Sequence, residues 1–213
     1  MLRFWAEDRG LSIFLALLVM VIFLLPVLPM PGSVGRFVGN FTFSALLIAG
    51  AISSGQWRWM RVIVVLALLV RWAAAALSSD ALDVMREAST LIMFVLFAMV
   101  VAERAYRSGP VTSHRIKGAV AVFLLLGLVW AHAYELLHLL HPEAFSGAVG
   151  SAGPQTWIYY SFVTLTTMGY GDITPVHPVA RSLAISEALI GQLYVATTLA
   201  RLVALQVGSG NKD

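Results

Sequence analysis

Apolar residues run along this chain in long blocks separated by short charged or turn-forming segments. Residues 11–30, 37–52, 62–77, 88–102, 118–140 and 179–207 are each rich in Leu, Val, Ala, Ile and Phe. The hydrocarbon core of a bilayer is about 30 Å thick and takes roughly 20 helical residues at 1.5 Å rise, so each block is read as a membrane-spanning helix. The second and fourth blocks are short, and their helices are expected to extend into flanking polar residues. The first follows Arg3 and Arg9 in the manner of a signal peptide, but no small-residue cleavage pattern succeeds it. Pro26, Pro29 and Pro31 end it instead, and it is kept as a span. No fixed-period repeat, low-complexity tract or long linker is visible.

Between the fifth and sixth blocks, residues 141–178 contain a moderately apolar segment, 155–166. At about 12 residues it is too short to cross a bilayer and return. The pattern predicts a re-entrant helix followed by irregular backbone, which persists at membrane depth only where protein or a water-filled path surrounds it. Pro154 suits the first turn of that helix, where its missing N–H costs nothing.

Composition strengthens the membrane reading: 59% of residues are hydrophobic and 12% charged, so water is not the main solvent. The absence of cysteine excludes disulfides, thiolate metal sites and cysteine nucleophiles. The net charge of +3 is spread over short loops, which suits topology signals rather than a nucleic-acid partner. Arg58 and Arg61 lie between the second and third blocks, and Arg104, Arg107, Arg115 and Lys117 between the fourth and fifth. Asp80, Asp83, Arg86 and Glu87 occupy the loop between these two pairs. Basic residues stay preferentially on the cytoplasmic side, which predicts a multi-pass protein of the cell membrane with both termini cytoplasmic. Arg36 is a minor exception.

The candidate chemistry is Thr166-Thr167-Met168-Gly169-Tyr170-Gly171-Asp172. A filter for a dehydrated cation needs closely spaced rings of oxygen from backbone carbonyls aimed at one axis. Gly169 and Gly171 reach backbone angles closed to other L-residues, so their peptides can turn carbonyls inward with those of Thr167, Met168 and Tyr170. The Thr167 hydroxyl would add an oxygen ring at the cavity end, and Tyr170 would pack sideways to hold the diameter. A lone Gly-Tyr-Gly usually marks a turn. Here it coincides with a short preceding apolar segment, a span on each side and a consistent orientation.

This heptapeptide, followed by Ile-Thr-Pro, resembles the signature of the tetrameric potassium channels, whose usual form is TTVGYGD; Met168 replaces the usual valine. The resemblance covers roughly residues 118–206. It implies an all-α integral membrane protein of six transmembrane helices. A re-entrant pore helix and filter would lie between helices five and six, and four copies would assemble as a homotetramer in the bilayer. Residues 1–110 would form a four-helix domain similar to a voltage sensor, and 111–213 the pore domain. Permeant K+ would bind at Thr167, Met168, Gly169, Tyr170 and Gly171, with no organic cofactor, and altered packing rather than lost selectivity is expected from Met168. Tyr159 and Tyr160 stand where the family carries two aromatics early in the pore helix, and either phenol could bond Asp172. Gly191 matches the hinge glycine of the inner helix, against which close helix packing is an equal reading. Gln192, Val195 and Leu199 would line the cavity.

Two readings of Glu187 stand together: a buried hydrogen-bonding partner beneath the pore helix, which is favoured, or a charge facing the cavity. Arg181 reads as an interfacial or subunit-contact residue. His132, Glu135, His138 and His141 recur every third residue, so neighbours in the series share a face and suit a divalent metal, although a drift of about 60° per step prevents all four from converging. Interfacial polar residues at a helix end are the expectation. Within the fourth block, residues 91–102 include no basic residue, and Arg58, Arg61 and Arg71 are sparse, so strong voltage dependence is not expected. The sequence ends soon after the sixth block, which fits either gating without a cytoplasmic ligand-binding domain or a longer protein. No nucleophile–base or metal–carboxylate set converges in one membrane layer, which argues against an enzyme. An intact filter argues against a non-conducting regulatory subunit. Nothing identifies an auxiliary subunit.

Overall fold

The computed structural model describes residues 2–27, 32–53, 58–77, 80–106, 113–149 and 153–210. Seven α-helices carry these residues: α1 Leu2–Val19, α2 Gly32–Ser53, α3 Arg58–Leu77, α4 Asp80–Ala105, α5 Ser113–Leu140, α6 Pro154–Leu165 and α7 Pro178–Gly210. A π-helical turn, Met20–Leu24, and a 3-10 turn, Leu25–Val27, end α1 at Pro26; Pro29, Pro31 and Arg107 lie outside the described residues.

The described residues of all six apolar blocks fall within helical segments. Among the described residues, three stretches have the length and composition to cross a bilayer: Asp80–Glu103, Arg115–Leu140 and Pro178–Arg201. Gly10–Leu24, Phe37–Ala49 and Val62–Leu77 are shorter apolar stretches. Large apolar side chains remain exposed along several helices, including Val62, Leu69, Ile92, Met99 and Leu193. A water-soluble surface seldom carries so many, and with the helix lengths this supports a membrane protein.

Several charges expected in loops lie in helices. Arg36 is within α2, Arg58 and Arg61 open α3, and Asp80, Asp83, Arg86 and Glu87 occupy the first turns of α4. The helices outrun their apolar blocks because polar residues at the ends still satisfy the backbone ladder. Asp80 and Asp83 also complement the positive N-terminal end of the α4 dipole.

Helix α5 is the hub, packing on α1, α4, α6 and α7. Phe14 and Leu18 of α1, Leu46 and Leu47 of α2, Met93, Phe94 and Phe97 of α4, and Leu125 and Leu128 of α5 are fully buried. Edge-to-face contacts join Phe14 to Phe97 and Phe43 to Phe94, each at 6.3 Å between ring centroids. At its far end α4 is tied to α7. The Tyr106 and Thr198 hydroxyls lie 2.7 Å apart, Arg201 Nη2 donates to the Tyr106 carbonyl at 2.5 Å, and the guanidinium sits over the Tyr106 ring.

A two-stranded antiparallel sheet, absent from the sequence reading, adds a small β element to an otherwise helical chain. Strand β1 (Phe145–Gly147) pairs with β2 (Ile173–Pro175) in the register Phe145 to Pro175 and Gly147 to Ile173. It ties the chain before α6 to the chain after the heptapeptide, aided by a 2.8 Å contact between the Ser146 and Thr174 hydroxyls. The heptapeptide is thus anchored at both ends.

Candidate functional site

The site begins where α6 stops. Proline at the first helical position and the extended Gly153 before it start α6. At its other end, backbone N–H groups turn back onto the last helical carbonyls: Thr166 to Phe162, Thr167 to Thr164, and Met168 to Val163 at 2.9 Å. Beyond this the chain alternates in handedness. Thr167 has φ 58°, Gly169 55° and Gly171 79°, while Met168 and Tyr170 do not enter the positive-φ region. Glycine makes this inexpensive at 169 and 171, whereas the Thr167 conformation costs strain that only its surroundings can hold. Alternating handedness is the backbone condition for turning successive carbonyls to the same side of a segment. Among the described residues, no hydrogen bond reaches the carbonyls of residues 167–171. These polar groups are therefore free to bind cations or water.

The predicted supports separate. Tyr159 stacks on Tyr170, with centroids 6.4 Å apart and planes 7° from parallel, and its phenol lies near the Asp172 carboxylate. Tyr160 faces inward, 4.8 Å from the Tyr134 ring and 5.5 Å from Phe145. The sequence left open which tyrosine meets Asp172; of the two, Tyr159 is the one whose phenol lies near its carboxylate. Trp157, one turn earlier in α6, is fully buried between Phe145 and His138 and was missed. The Thr167 hydroxyl donates to the Thr166 carbonyl at 2.7 Å and accepts from Gln192 Nε2 at 3.1 Å, so the residue assigned to the cavity wall touches the start of the heptapeptide. Val195 and Leu199 are exposed on the same helix. Met168 and Tyr170 are 57% and 65% exposed.

Glu187 is the buried partner that the favoured reading expected. It is fully buried; Tyr134 Oη donates to Oε2 at 2.6 Å, and the Ser161 hydroxyl lies 2.5 Å from Oε1 and 2.7 Å from the Gly127 carbonyl. Three helices, α5, α6 and α7, meet at this carboxylate. Sequence reasoning missed Tyr134 and Ser161, because no local spacing links residues 134, 161 and 187. At Gly191 the tight packing is explicit: an added Cβ would collide with the Leu165 carbonyl at the end of α6.

The histidine series does not behave as one interfacial group. His132 and Glu135 are buried against α4, His138 packs on the Trp157 ring at 5.0 Å, and exposed His141 stacks on His177 at 5.1 Å. The expectation of interfacial polar residues is corrected for His132 and Glu135, because tight α4–α5 packing covers that helix face. Arg181 Nε donates to the Pro175 carbonyl at 3.2 Å, bracing β2 against the start of α7.

Residues 121–206 match the model of a sequence family described as "Ion channel". The match runs from α5 through α6 and the heptapeptide into α7, supports an ion-channel pore, and points to a channel rather than an enzyme. Among curated proteins, the chain is similar to two pore potassium channel c of Oryza sativa subsp. japonica, 41% identical over 63 residues, covering 29% of this chain and 14% of that protein. It is also similar to the calcium-activated potassium channel slowpoke of Drosophila melanogaster, 31% identical over 105 residues, covering 47% of this chain and 8% of that one. Protein LctB of Bacillus caldotenax is 33% identical over 87 residues, covering 38% of this chain and 64% of LctB. The chain thus spans less than two thirds of each relative. No solved structure matches.

Proposed function

We propose that the chain is a subunit of a potassium-selective channel whose filter is formed by Thr167, Met168, Gly169, Tyr170 and Gly171. The observation that carries this reading is the alternation of left-handed residues at 167, 169 and 171 with carbonyls that no described group bonds. Two relatives are named as potassium channels. A closed ring of carbonyls needs four copies of the segment, so the assembly is a homotetramer, and the exposed heptapeptide and α7 supply surface for it. Residues 1–110 act as a membrane scaffold without a basic ladder and 111–213 as the pore domain. The protein lies in the cell membrane with both termini cytoplasmic, binds K+ as cargo and uses no organic cofactor. Its α6 C-terminus, the negative end of a helix dipole, favours a cation beside Thr167.

The deciding experiment is rubidium or potassium flux into liposomes holding the purified protein, repeated with sodium, alongside cross-linking in mild detergent. Potassium flux well above sodium flux and a four-subunit product are expected. No flux above empty liposomes, or conduction by a clean monomer or dimer, would sink the proposal.

A further inference from the structure

Away from the filter, Glu87 of α4 and His132 and Glu135 of α5 meet in the α4–α5 interface. All three are buried, and one potential ligand atom from each lies within 4.8 Å of the others. The imidazole is held between aromatic rings, 5.2 Å from Phe94 and 5.5 Å from Phe43. His132 Nδ1 is 2.7 Å from Glu87 Oε2, and Arg86 Nε donates to Glu87 Oε1 at 2.9 Å. His132 Nε2 is buried with no partner, and among the described residues the Glu135 carboxylate has no hydrogen-bond donor. Arg71 does not supply one: its Nε and Nη1 are buried without acceptors, and its guanidinium lies over the Phe43 ring at 4.9 Å.

We propose that Glu87, His132 and Glu135 form a binding site for a first-row divalent metal ion of the zinc class, lodged between α4 and α5. An imidazole and two carboxylates are the donor set that such ions take. Bonds of about 2.1 Å around one ion place donor atoms roughly 3–4 Å apart, so a shift of an ångström or less closes the present spacing. The Asp83, Glu87 and Glu135 carboxylates outnumber the Arg71 and Arg86 guanidinium groups by one, leaving the pocket one negative charge in excess when His132 is neutral and Glu135 ionised. A bound cation offsets that charge and gives Glu135 the partner it lacks. Asp83, at 33% side-chain exposure, is ion-paired with Arg86 at 2.7 Å. The ion would join the scaffold helix α4 to α5, which in turn packs on α6.

The test uses the full chain, purified and stripped with chelator. Zinc content is measured by mass spectrometry after dialysis against Zn2+, and Co2+ is titrated while its visible ligand-field absorption is followed. About one ion per chain is expected. His132→Gln and Glu135→Gln should each weaken Co2+ binding at least tenfold, whereas His141→Gln, at the exposed pair, should leave it unchanged. Size exclusion and helical circular dichroism identify any variant that has not folded, in which case the other variant decides. Metal content below about one ion in ten chains would overturn the proposal in favour of a closed network neutralised by a proton. So would binding that survives in the His132→Gln/Glu135→Gln double variant, or that is lost in His141→Gln.

Discussion

Replacing Glu187 with alanine should loosen the contact of α5, α6 and α7 behind the heptapeptide. The wild-type carboxylate takes a 2.6 Å hydrogen bond from Tyr134 and sits 2.5 Å from the Ser161 hydroxyl in a fully buried position. A hydrogen bond contributes about 0.5–1.5 kcal/mol, and a buried donor left without a partner costs about 1–3 kcal/mol. Ser161 keeps the Gly127 carbonyl as an acceptor, so Tyr134 is the group left without a partner. Removing a buried carboxylate also returns part of its desolvation cost, which brings the expected net loss to about 2–4 kcal/mol. Each kcal/mol moves the melting midpoint of a chain this long by about 2–4 °C, so thermal unfolding in detergent should drop by roughly 5–15 °C. Glu187→Gln should cost about 1 kcal/mol, because its amide oxygen still accepts from Tyr134. A double-mutant cycle of Glu187→Ala with Tyr134→Phe should give a coupling of about 1–2 kcal/mol. An alanine variant melting within about 2 °C of the parent, together with zero coupling, would refute the claim that this carboxylate holds the three helices together.

Alanine at Gly169 or Gly171 should abolish potassium flux without preventing membrane insertion, since open space surrounds both positions and the obstacle is their positive φ; liposome flux beside a protease-protection assay checks this. Met168→Val should still conduct with potassium selectivity, and Thr167→Ala should fall between these extremes in the same assay, losing the contact with Gln192. Gly191→Ala drives a Cβ into the Leu165 carbonyl and should cost about 1–3 kcal/mol, read as a lowered melting midpoint, with an unchanged midpoint as the contrary result. Open probability in planar bilayers should change little between about −100 and +100 mV, because each gating charge contributes about 2.3 kcal/mol per 100 mV and the fourth span supplies no ladder of them; steep activation would contradict this.

What sequence could reveal here follows the range over which each physical constraint acts. Helix α6 and the break after it were legible because a 12-residue apolar segment begun by proline has few other uses at membrane depth. The glycines at 169 and 171 were legible because residue type limits backbone angle directly. Thr167 was not: a β-branched residue at φ 58° contradicts its own preference, and only the capping of α6 by the following N–H groups and the Gln192 contact place it there. Loop charges were misplaced by a turn or more, since apolar length marks where lipid contact ends and not where the backbone ladder ends. Buried polar groups were the least legible of all. The spacing of His132 and Glu135 shows a shared face of α5, but the identity of Glu87 as the partner of His132 depends on how α4 crosses that face, 45 residues away in the chain. The same holds for Glu187. Its cost in a membrane helix says that partners must exist, and packing alone says that they are Tyr134 and Ser161. Where a side chain's own chemistry restricts the backbone, one residue is informative. Where two helices must first dock, the chemistry states a requirement and leaves the partner to the fold.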